Sequence, residues 1–172
     1  KIGEHLAKFG FKLITLNIDH YFYDLEMHPK DEFGDYDFET PQALNMKLIN
    51  QNLIELFEGR EVRIPYYDFK TGKSIPEHTP MKLGKKEIVL IDSLHGLYPE
   101  MTEDIPNEWK FKLYIEPLLQ LKDSHGRYAR WTDVRLMRRM LRDASHRAYD
   151  PTQTLLHWLY VRSSELRHIF PY

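Results

Sequence analysis

Short apolar segments alternate along the chain with longer segments of helical periodicity. Residues 11–18, 87–91 and 111–115 are short and mostly apolar, which is a pattern typical of buried strands. Residues 62–66 predict another short strand, and residues 67–86 read as an extended or hairpin segment with glycine and proline at its turns. The chain is therefore predicted to contain several short strands spread over its first two thirds.

Helices are predicted between these strands. Residues 1–8 read as the end of a helix that Gly10 terminates. A second helix is predicted to begin at Thr40-Pro41, with proline at the first helical position, and to close at Gly59. Its apolar side would comprise Leu44, Leu48, Ile49, Leu53, Leu56 and Phe57.

The order of these elements predicts an α/β fold. Helices that alternate with short strands are typical of a parallel sheet with flanking helices on both faces. A last helix is predicted after Asp150, with Gln153 in the capping-box position. We interpret residues 1–172 as a single domain, because the length suits one substantial core and is short for two.

Two aspartates follow predicted strands directly. In parallel sheets the chemistry gathers at the carboxyl ends of the strands, and Asp19 and Asp92 both lie there by this reading. One carboxylate could accept a proton from an attacking hydroxyl, and the other could help to hold hydrated Mg²⁺. The alternative for each aspartate is a turn-forming role, which is common after a strand.

Residues 127–147 contain seven arginines and two aspartates, in a chain whose formal net charge is −2. From Thr132, a plausible N-cap, the spacing predicts a helix. It should pack on the protein by one side (Val134, Leu136, Met137, Met140, Leu141 and Ala144) and hold Arg135, Arg138, Arg139 and Arg142 outward. Planar guanidinium groups suit phosphates. The alternative is a solvated basic face.

Composition excludes several classes of protein. The chain has no cysteine, so disulfides and thiolate metal sites are excluded and a cytoplasmic location is the natural expectation. No apolar run approaches the length of a membrane span, and no secretion signal is visible at the start. The near-neutral charge argues against a general nucleic-acid binder, because only the arginine stretch is basic.

Five segments contain a recognisable order of residues. They are 19–23 (Asp-His-Tyr-Phe-Tyr), 37–41 (Asp-Phe-Glu-Thr-Pro), 64–69 (Ile-Pro-Tyr-Tyr-Asp-Phe), 91–98 (Ile-Asp-Ser-Leu-His-Gly-Leu-Tyr) and 133–143 (Asp-Val-Arg-Leu-Met-Arg-Arg-Met-Leu-Arg-Asp). This ordered set resembles the uridine kinase and phosphoribulokinase family of P-loop kinases, and bacterial uridine-kinase-like nucleoside kinases above all. The segment 133–143 is similar to that family's lid helix, within a lid at about residues 127–147.

The resemblance implies an ATP-dependent nucleoside kinase that uses Mg²⁺, with a nucleoside and ATP as its partners. Asp19 would accept the proton of the sugar 5′-hydroxyl, Glu39 would bind the ribose hydroxyls, and Asp92 would stand near Mg²⁺. Tyr67 would lie along the nucleoside, and Tyr21 would also contact the substrate. Arg135, Arg138, Arg139 and Arg142 would close on the ATP phosphates, assisted by Arg147.

Two departures from the family pattern have consequences. No Gly-x-x-x-x-Gly-Lys-[Ser/Thr] occurs in the sequence. The family places this loop just before a helix like residues 1–8, so we expect the loop and the central strand of the sheet to lie upstream of Lys1. The chain would then be a fragment that is inactive alone. Gly72 also stands where uridine kinases have a histidine that contacts the base, so the phosphate acceptor stays open.

Other readings remain. The first is a non-catalytic kinase-like module that binds RNA or a phosphorylated ligand through the arginine helix, and the second is a sugar or cofactor kinase of the same superfamily. Tyr21 and Tyr67 could be packing residues, and Glu39 could belong to an acidic surface loop. Neither a membrane partner nor a nucleic-acid partner is expected under the kinase reading, which is compatible with a homo-oligomer.

Overall fold

Two of the apolar segments form adjacent parallel strands. In the computed structural model, which describes residues 1–115, 120–146 and 150–172, β1 (Lys12–Asn17) pairs in parallel with β4 (Glu87–Asp92). Lys12 lies opposite Glu87, and their side chains form an ion pair at 3.2 Å. The register ends with Asn17 opposite Asp92. The carboxyl ends of both strands therefore lie at the same edge of the sheet.

The segment between these strands contains the predicted hairpin. Strand β2 (Val62–Asp68) pairs antiparallel with β3 (Lys73–Met81), with a shift in register between Ile64 and Tyr66. At the turn, Gly72 has a φ of +67° and its N–H donates to the Asp68 carbonyl at 2.8 Å. Glycine adopts this conformation at no steric cost, and the turn returns the chain along β2.

The described residues form four α-helices: α1 (Ile2–Ala7), α2 (Met46–Phe57), α3 (Trp131–His146) and α4 (Pro151–His168). Gly10, with a φ of +79°, follows α1 as predicted. At the start of α4, the Thr152 N–H donates to the Asp150 carboxylate, and the Asp150 N–H donates to Gln153 Oε1 at 3.2 Å. This reciprocal pair confirms the predicted capping box. No helix in the described ranges is long and apolar enough to cross a membrane.

The chain divides into two compact units. Unit 1 comprises residues 1–112 and 168–172, and unit 2 comprises residues 113–167. The core of unit 1 is formed by β1, β2, α2 and the 3₁₀ turn Ile18–Tyr21. Its most buried apolar side chains include Leu16, Ile18, Ile49, Leu53, Leu56 and Tyr67. The single domain predicted for residues 1–172 stays a prediction.

The helix predicted from Thr40-Pro41 begins later than expected. Residues Pro41–Ala43 form only a 3₁₀ turn, and α2 starts at Met46 with Asn45 as its N-cap. Leu44 forms an isolated bridge with Phe22. The Asn45 N–H donates to the Tyr21 carbonyl at 2.8 Å. These backbone bonds hold the segment extended, so the helix can begin only after them.

Two predictions about the sheet are wrong in the described part of the chain. Residues 111–115 form no strand, and Phe111 is 90% exposed. A strand needs a neighbour for its backbone groups, and no described segment pairs with this one. The sheet is also not fully covered on both faces, because Ile88 and Leu90 of β4 are exposed whereas Val89 and Ile91 pack on the core.

Helix α3 departs from its predicted orientation. It begins at Trp131, so Thr132 lies inside the helix rather than at the N-cap. Val134 is buried as predicted, but Met137 and Leu141 of the predicted apolar side are exposed, Leu141 by 72%. Asp143 is buried instead. The predicted apolar side is therefore only partly covered: Leu136 and Met140 are half-buried beside Val134, whereas Met137, Leu141 and Ala144 are exposed.

One buried histidine makes the stability of the fold depend on pH. Burial, together with the neighbouring His168, lowers the pKa of His95 to about 4. An unfolded histidine titrates near 6.5, so the unfolded chain binds more protons than the native one between these values. The stability that the neutral, buried His95 contributes is fully present above pH 6.5 and is lost as the pH falls towards 4. Because one pKa unit corresponds to about 1.4 kcal/mol, the total loss is roughly 3 kcal/mol.

We therefore expect His95→Leu to flatten the pH dependence of the free energy of unfolding. Urea unfolding at pH 7 and pH 4.5 measures it, with His5→Leu on the exposed face of α1 as the matched control. The wild type and the control should lose more stability on acidification than His95→Leu does. Equal losses in all three proteins would contradict the assignment.

Candidate active site at the carboxyl ends of β1 and β4

The two predicted aspartates lie near each other. Asp92 is the last residue of β4 and lies opposite Asn17 of β1. Asp19 follows Asn17 by two residues, in the 3₁₀ turn Ile18–Tyr21. The side chain of Asn17 caps this turn, because its Oδ1 accepts the Asp19 N–H at 3.0 Å. The cap fixes the backbone from which the Asp19 carboxylate projects, so the site is built by the strand end itself.

The surroundings of Asp19 favour its protonated form. The residue is exposed, yet the protein around its carboxyl group withdraws it from water and raises its pKa. The neighbouring His20 lowers the pKa of Asp19, and the charge of Asp92 raises it. A carboxylate with a raised pKa is a stronger base than a solvated one, which suits a group that accepts a proton.

His20 links this edge to the β2–β3 hairpin. Its ring packs on Tyr66 with centroids 5.1 Å apart, and Tyr66 packs on His78 at 5.0 Å. The Tyr67 N–H donates to His20 Nδ1 at 3.4 Å. Burial lowers the pKa of His20, with Asp19 opposing this effect and His78 adding to it. The hairpin therefore borders the aspartate site directly.

An aromatic cluster lies on this side of unit 1. It consists of Phe22, His28, Phe38, Tyr67 and Phe69, and neighbouring ring centroids are 4.8 to 6.5 Å apart. Tyr67 and His28 are buried, whereas Phe38 and Phe69 are exposed by 37% and 60%. The predicted nucleoside-binding Tyr67 thus sits at the base of a cluster whose outer rings face solvent.

Tyr21 and Glu39 occupy different surroundings. Tyr21 is buried, and its hydroxyl accepts a hydrogen bond from Asn52 Nδ2 at 2.9 Å. Burial raises the pKa of Tyr21 to about 12. This position supports the packing alternative, and the substrate contact of Tyr21 stays a prediction. Glu39 is half-buried, and its N–H donates to Asp37 Oδ1 at 2.7 Å. Its charge acts on the buried His95.

The arginines of α3 contact acids within unit 2. Arg135 and Arg162 both form ion pairs with Glu165, which is only 2% exposed. The two guanidinium groups also lie 5.6 and 5.5 Å from the ring centroid of Trp131. Because a buried carboxylate requires partners, Arg135 is directed towards Glu165 and is not simply held outward.

A second buried acid engages two more of these arginines. Asp143 contacts Arg139 Nε and Arg142 Nε, each at 3.4 Å, and also accepts a hydrogen bond from Thr154 Oγ1. This network turns α3 so that Asp143 is buried and Leu141 is exposed. Arg138 is exposed, and no described residue forms an ion pair with it. The prediction for Arg147 lies outside the described residues.

The structure therefore brings Asp19 and Asp92 together in unit 1, with the Tyr67 cluster beside them. In unit 2, Arg135, Arg139 and Arg142 of α3 contact the buried acids Glu165 and Asp143, whereas Arg138 is exposed. Sequence reasoning missed His28, Glu165 and Arg162. His28 lies in a loop without periodicity, so no signal distinguished it. Glu165 and Arg162 are three residues apart in α4, a spacing that could have indicated an ion pair.

Comparisons with known proteins identify the family of the chain. The sequence profile described as the phosphoribulokinase / uridine kinase family matches residues 10–171. The chain is 31% identical over 140 residues to the uridine kinase of Schizosaccharomyces pombe, which covers 80% of this chain and 27% of that protein. It is 28% identical over 157 residues to uridine-cytidine kinase 2-B of Danio rerio, which covers 90% of this chain and 52% of that protein.

The α/β fold, with its parallel strands and flanking helices, and these matches define a domain of the P-loop kinase type. The chain belongs to the phosphoribulokinase / uridine kinase family. It spans about half the length of the Danio rerio relative and about a quarter of the Schizosaccharomyces pombe one.

Proposed function

We propose that the protein to which this chain belongs transfers the γ-phosphoryl group of ATP to the 5′-hydroxyl of a nucleoside. The observation that supports this most strongly is the pair Asp19 and Asp92. The two residues lie at the carboxyl ends of adjacent parallel strands, and they are close enough for the charge of Asp92 to raise the pKa of Asp19. Family membership adds that the named relatives are nucleoside kinases.

In this proposal Asp19 acts as the general base. Its carboxylate accepts the proton of the 5′-hydroxyl while the oxygen attacks the γ-phosphorus, and the bond from that phosphorus to the departing ADP oxygen breaks. Glu39 holds the ribose hydroxyls, and the Tyr67 side of the cluster contacts the base. The Asn17 cap fixes the backbone at Asp19 before substrate binds, which reduces the reorganisation needed during reaction.

The oxygen donors at this edge fit a magnesium ion. Asp92 presents an exposed carboxylate beside that of Asp19, and Mg²⁺ is usually held by one or two carboxylates while keeping several waters. Asp92 would hold the hydrated ion, which supplies neutralisation of phosphate charge when bound. The sequence contains no glycine-rich phosphate cradle, so the phosphate contacts that we assign to this chain are those of its arginines.

Among the arginines of α3 we assign that role first to Arg138, because it is exposed and no described residue forms an ion pair with it. Arg135, Arg139 and Arg142 would have to exchange Glu165 or Asp143 for phosphate oxygens. These internal pairs count against a helix whose main task is to bind RNA, since such a surface gains from unpaired cations. They are compatible with arginines that engage a nucleotide only during the reaction cycle.

The proposal is tested by ADP release. The full-length natural protein, supplied with Mg²⁺, ATP and each nucleoside in turn, should release ADP at a rate that depends on the nucleoside and falls when Mg²⁺ is chelated. The same assay with sugars in place of nucleosides tests the alternative substrate class. ADP release that is independent of every nucleoside would contradict the proposal.

A further inference from the structure

Two buried polar atoms in the aromatic cluster have no partner among the described residues. They are His28 Nδ1 and the Tyr67 hydroxyl. The two rings are stacked, with centroids 6.1 Å apart and planes inclined by 22°. An unsatisfied buried polar atom costs about 1–3 kcal/mol, and two of them in one cluster indicate a site that a ligand completes.

The hydrogen bond on the other side of the His28 ring fixes its chemistry. His28 Nε2 lies 2.9 Å from the Tyr23 carbonyl oxygen, and a carbonyl can only accept. Nε2 therefore has the hydrogen, and Nδ1 of the neutral ring is left as an acceptor. Burial lowers the pKa of His28, opposed by the Tyr23 carbonyl and by Asp37, so the neutral form prevails near pH 7.

The Tyr67 hydroxyl complements this acceptor. A phenol both donates and accepts, so the cluster offers one fixed acceptor and one adaptable group. Burial raises the pKa of Tyr67, with the charge of Asp24 adding to the effect, and the hydroxyl stays protonated. The exposed rings of Phe38 and Phe69 contact His28 and Tyr67 with centroids 4.8 and 4.9 Å apart. The two buried polar atoms therefore belong to rings that are in direct contact with solvent-exposed aromatic side chains.

The loop that contains His28 packs against the turn of the β2–β3 hairpin. A Cβ on Gly72 would lie 2.8 Å from the Leu25 Cβ, and the Leu25 N–H donates to the Gly72 carbonyl at 2.8 Å. The loop at Leu25 therefore occupies the space that a side chain at position 72 would need. The 3₁₀ turn Leu25–Met27 continues directly into His28 and brings it against Tyr67.

We propose that His28 is the residue that selects the base of the nucleoside, its Nδ1 accepting a hydrogen bond from an N–H group of the base while the Tyr67 hydroxyl binds the neighbouring polar atom. This inference rests on the proposed function and adds the chemistry of recognition to it. The ligand is a flat ring that stacks among aromatic side chains and presents an N–H donor at its edge. Uracil N3–H and the amino groups of cytosine and adenine meet this requirement.

The test compares nucleosides with and without that N–H group. Equilibrium binding to the full-length protein is measured for uridine and 3-methyluridine, cytidine and N4,N4-dimethylcytidine, and adenosine and N6,N6-dimethyladenosine. For the parent nucleoside that binds most tightly, the affinity should be at least tenfold higher than that of its methylated partner, because methylation removes the N–H donor. His28→Phe keeps an aromatic ring and removes the acceptor, so it should shrink this ratio about tenfold, the size of one hydrogen bond.

Two further variants keep the result interpretable. His5→Phe makes the same change on the exposed face of α1 and should leave the ratio as in the wild type. Tyr67→Phe deletes one buried hydroxyl at nearly constant shape and should weaken binding of the parent nucleoside several-fold. This result tests the inference even if His28→Phe fails to fold.

An unchanged ratio in His28→Phe, or unchanged affinity in Tyr67→Phe, would overturn the inference while nucleoside-dependent ADP release continued. If the wild-type protein showed no nucleoside-dependent ADP release with any nucleoside, the proposed function would be refuted, and the inference with it.

Discussion

Replacing Asp19 by asparagine should lower kcat for nucleoside-dependent ADP release by about 10³-fold, within the range of general-base catalysis. The amide has nearly the same shape but cannot take the proton of the attacking hydroxyl. KM for the nucleoside should change little, because the ring cluster and Glu39 remain. Steady-state kinetics of the full-length protein measures both constants.

The matched control is Asp104→Asn, an exposed aspartate of unit 1 whose side chain has no assigned role. It should retain the wild-type rate. If Asp19→Asn kept more than about a tenth of the wild-type kcat, a general base that normally gives a factor of 10²–10⁴ could not be Asp19, and the proton would have to leave by another route.

Replacing Arg138 by alanine should lower kcat by about 10²–10³-fold without changing the free energy of unfolding. An arginine that contacts the transferring phosphoryl group stabilises the charge of the transition state, and such residues contribute up to 10³–10⁵. Arg138 is exposed and no described residue pairs with it, so its removal leaves no acid without a partner. Kinetics and urea unfolding of the same preparation separate the two effects.

Arg135→Ala provides the contrast within the same helix. It removes one of the two partners of the buried Glu165, and should lower the free energy of unfolding by about 2 kcal/mol as well as the rate. Arg167→Ala, an exposed arginine of α4, should change neither quantity. If Arg138→Ala left kcat unchanged, α3 would have no part in phosphate binding, and the role assigned to the arginine segment would be wrong.

The strands were predictable because their signal is local. The apolar segments before Asp19 and Asp92 have few alternatives to burial in a sheet, and the order of elements suffices to make them parallel. The segment 111–115 has a similar composition, yet it forms no strand. Pairing depends on a neighbouring backbone, which composition does not encode. The late start of α2 has the same cause, since the bond from Asn45 to the Tyr21 carbonyl is a long-range contact.

The candidate site was predictable in part. Parallel pairing follows from the fold, so the proximity of Asp19 and Asp92 could be anticipated. The environment of α3 could not, because its periodicity places apolar residues on one side and gives no information about Glu165. The buried acids of unit 2 outweigh the apolar preference of Leu141, since an unpaired buried carboxylate costs more than an exposed leucine. His28 was missed because loop residues have no periodic pattern.

The most direct test of the central claim is the identity of the phosphorylated product. The full-length protein, given Mg²⁺, ATP and its preferred nucleoside, should yield the nucleoside 5′-monophosphate and ADP in equal amounts, as resolved by phosphorus NMR. The corresponding 5′-deoxynucleoside should give neither. Phosphate on another hydroxyl, or ADP formation that persists with the 5′-deoxynucleoside, would contradict the assignment of Asp19 as the base that activates the 5′-hydroxyl.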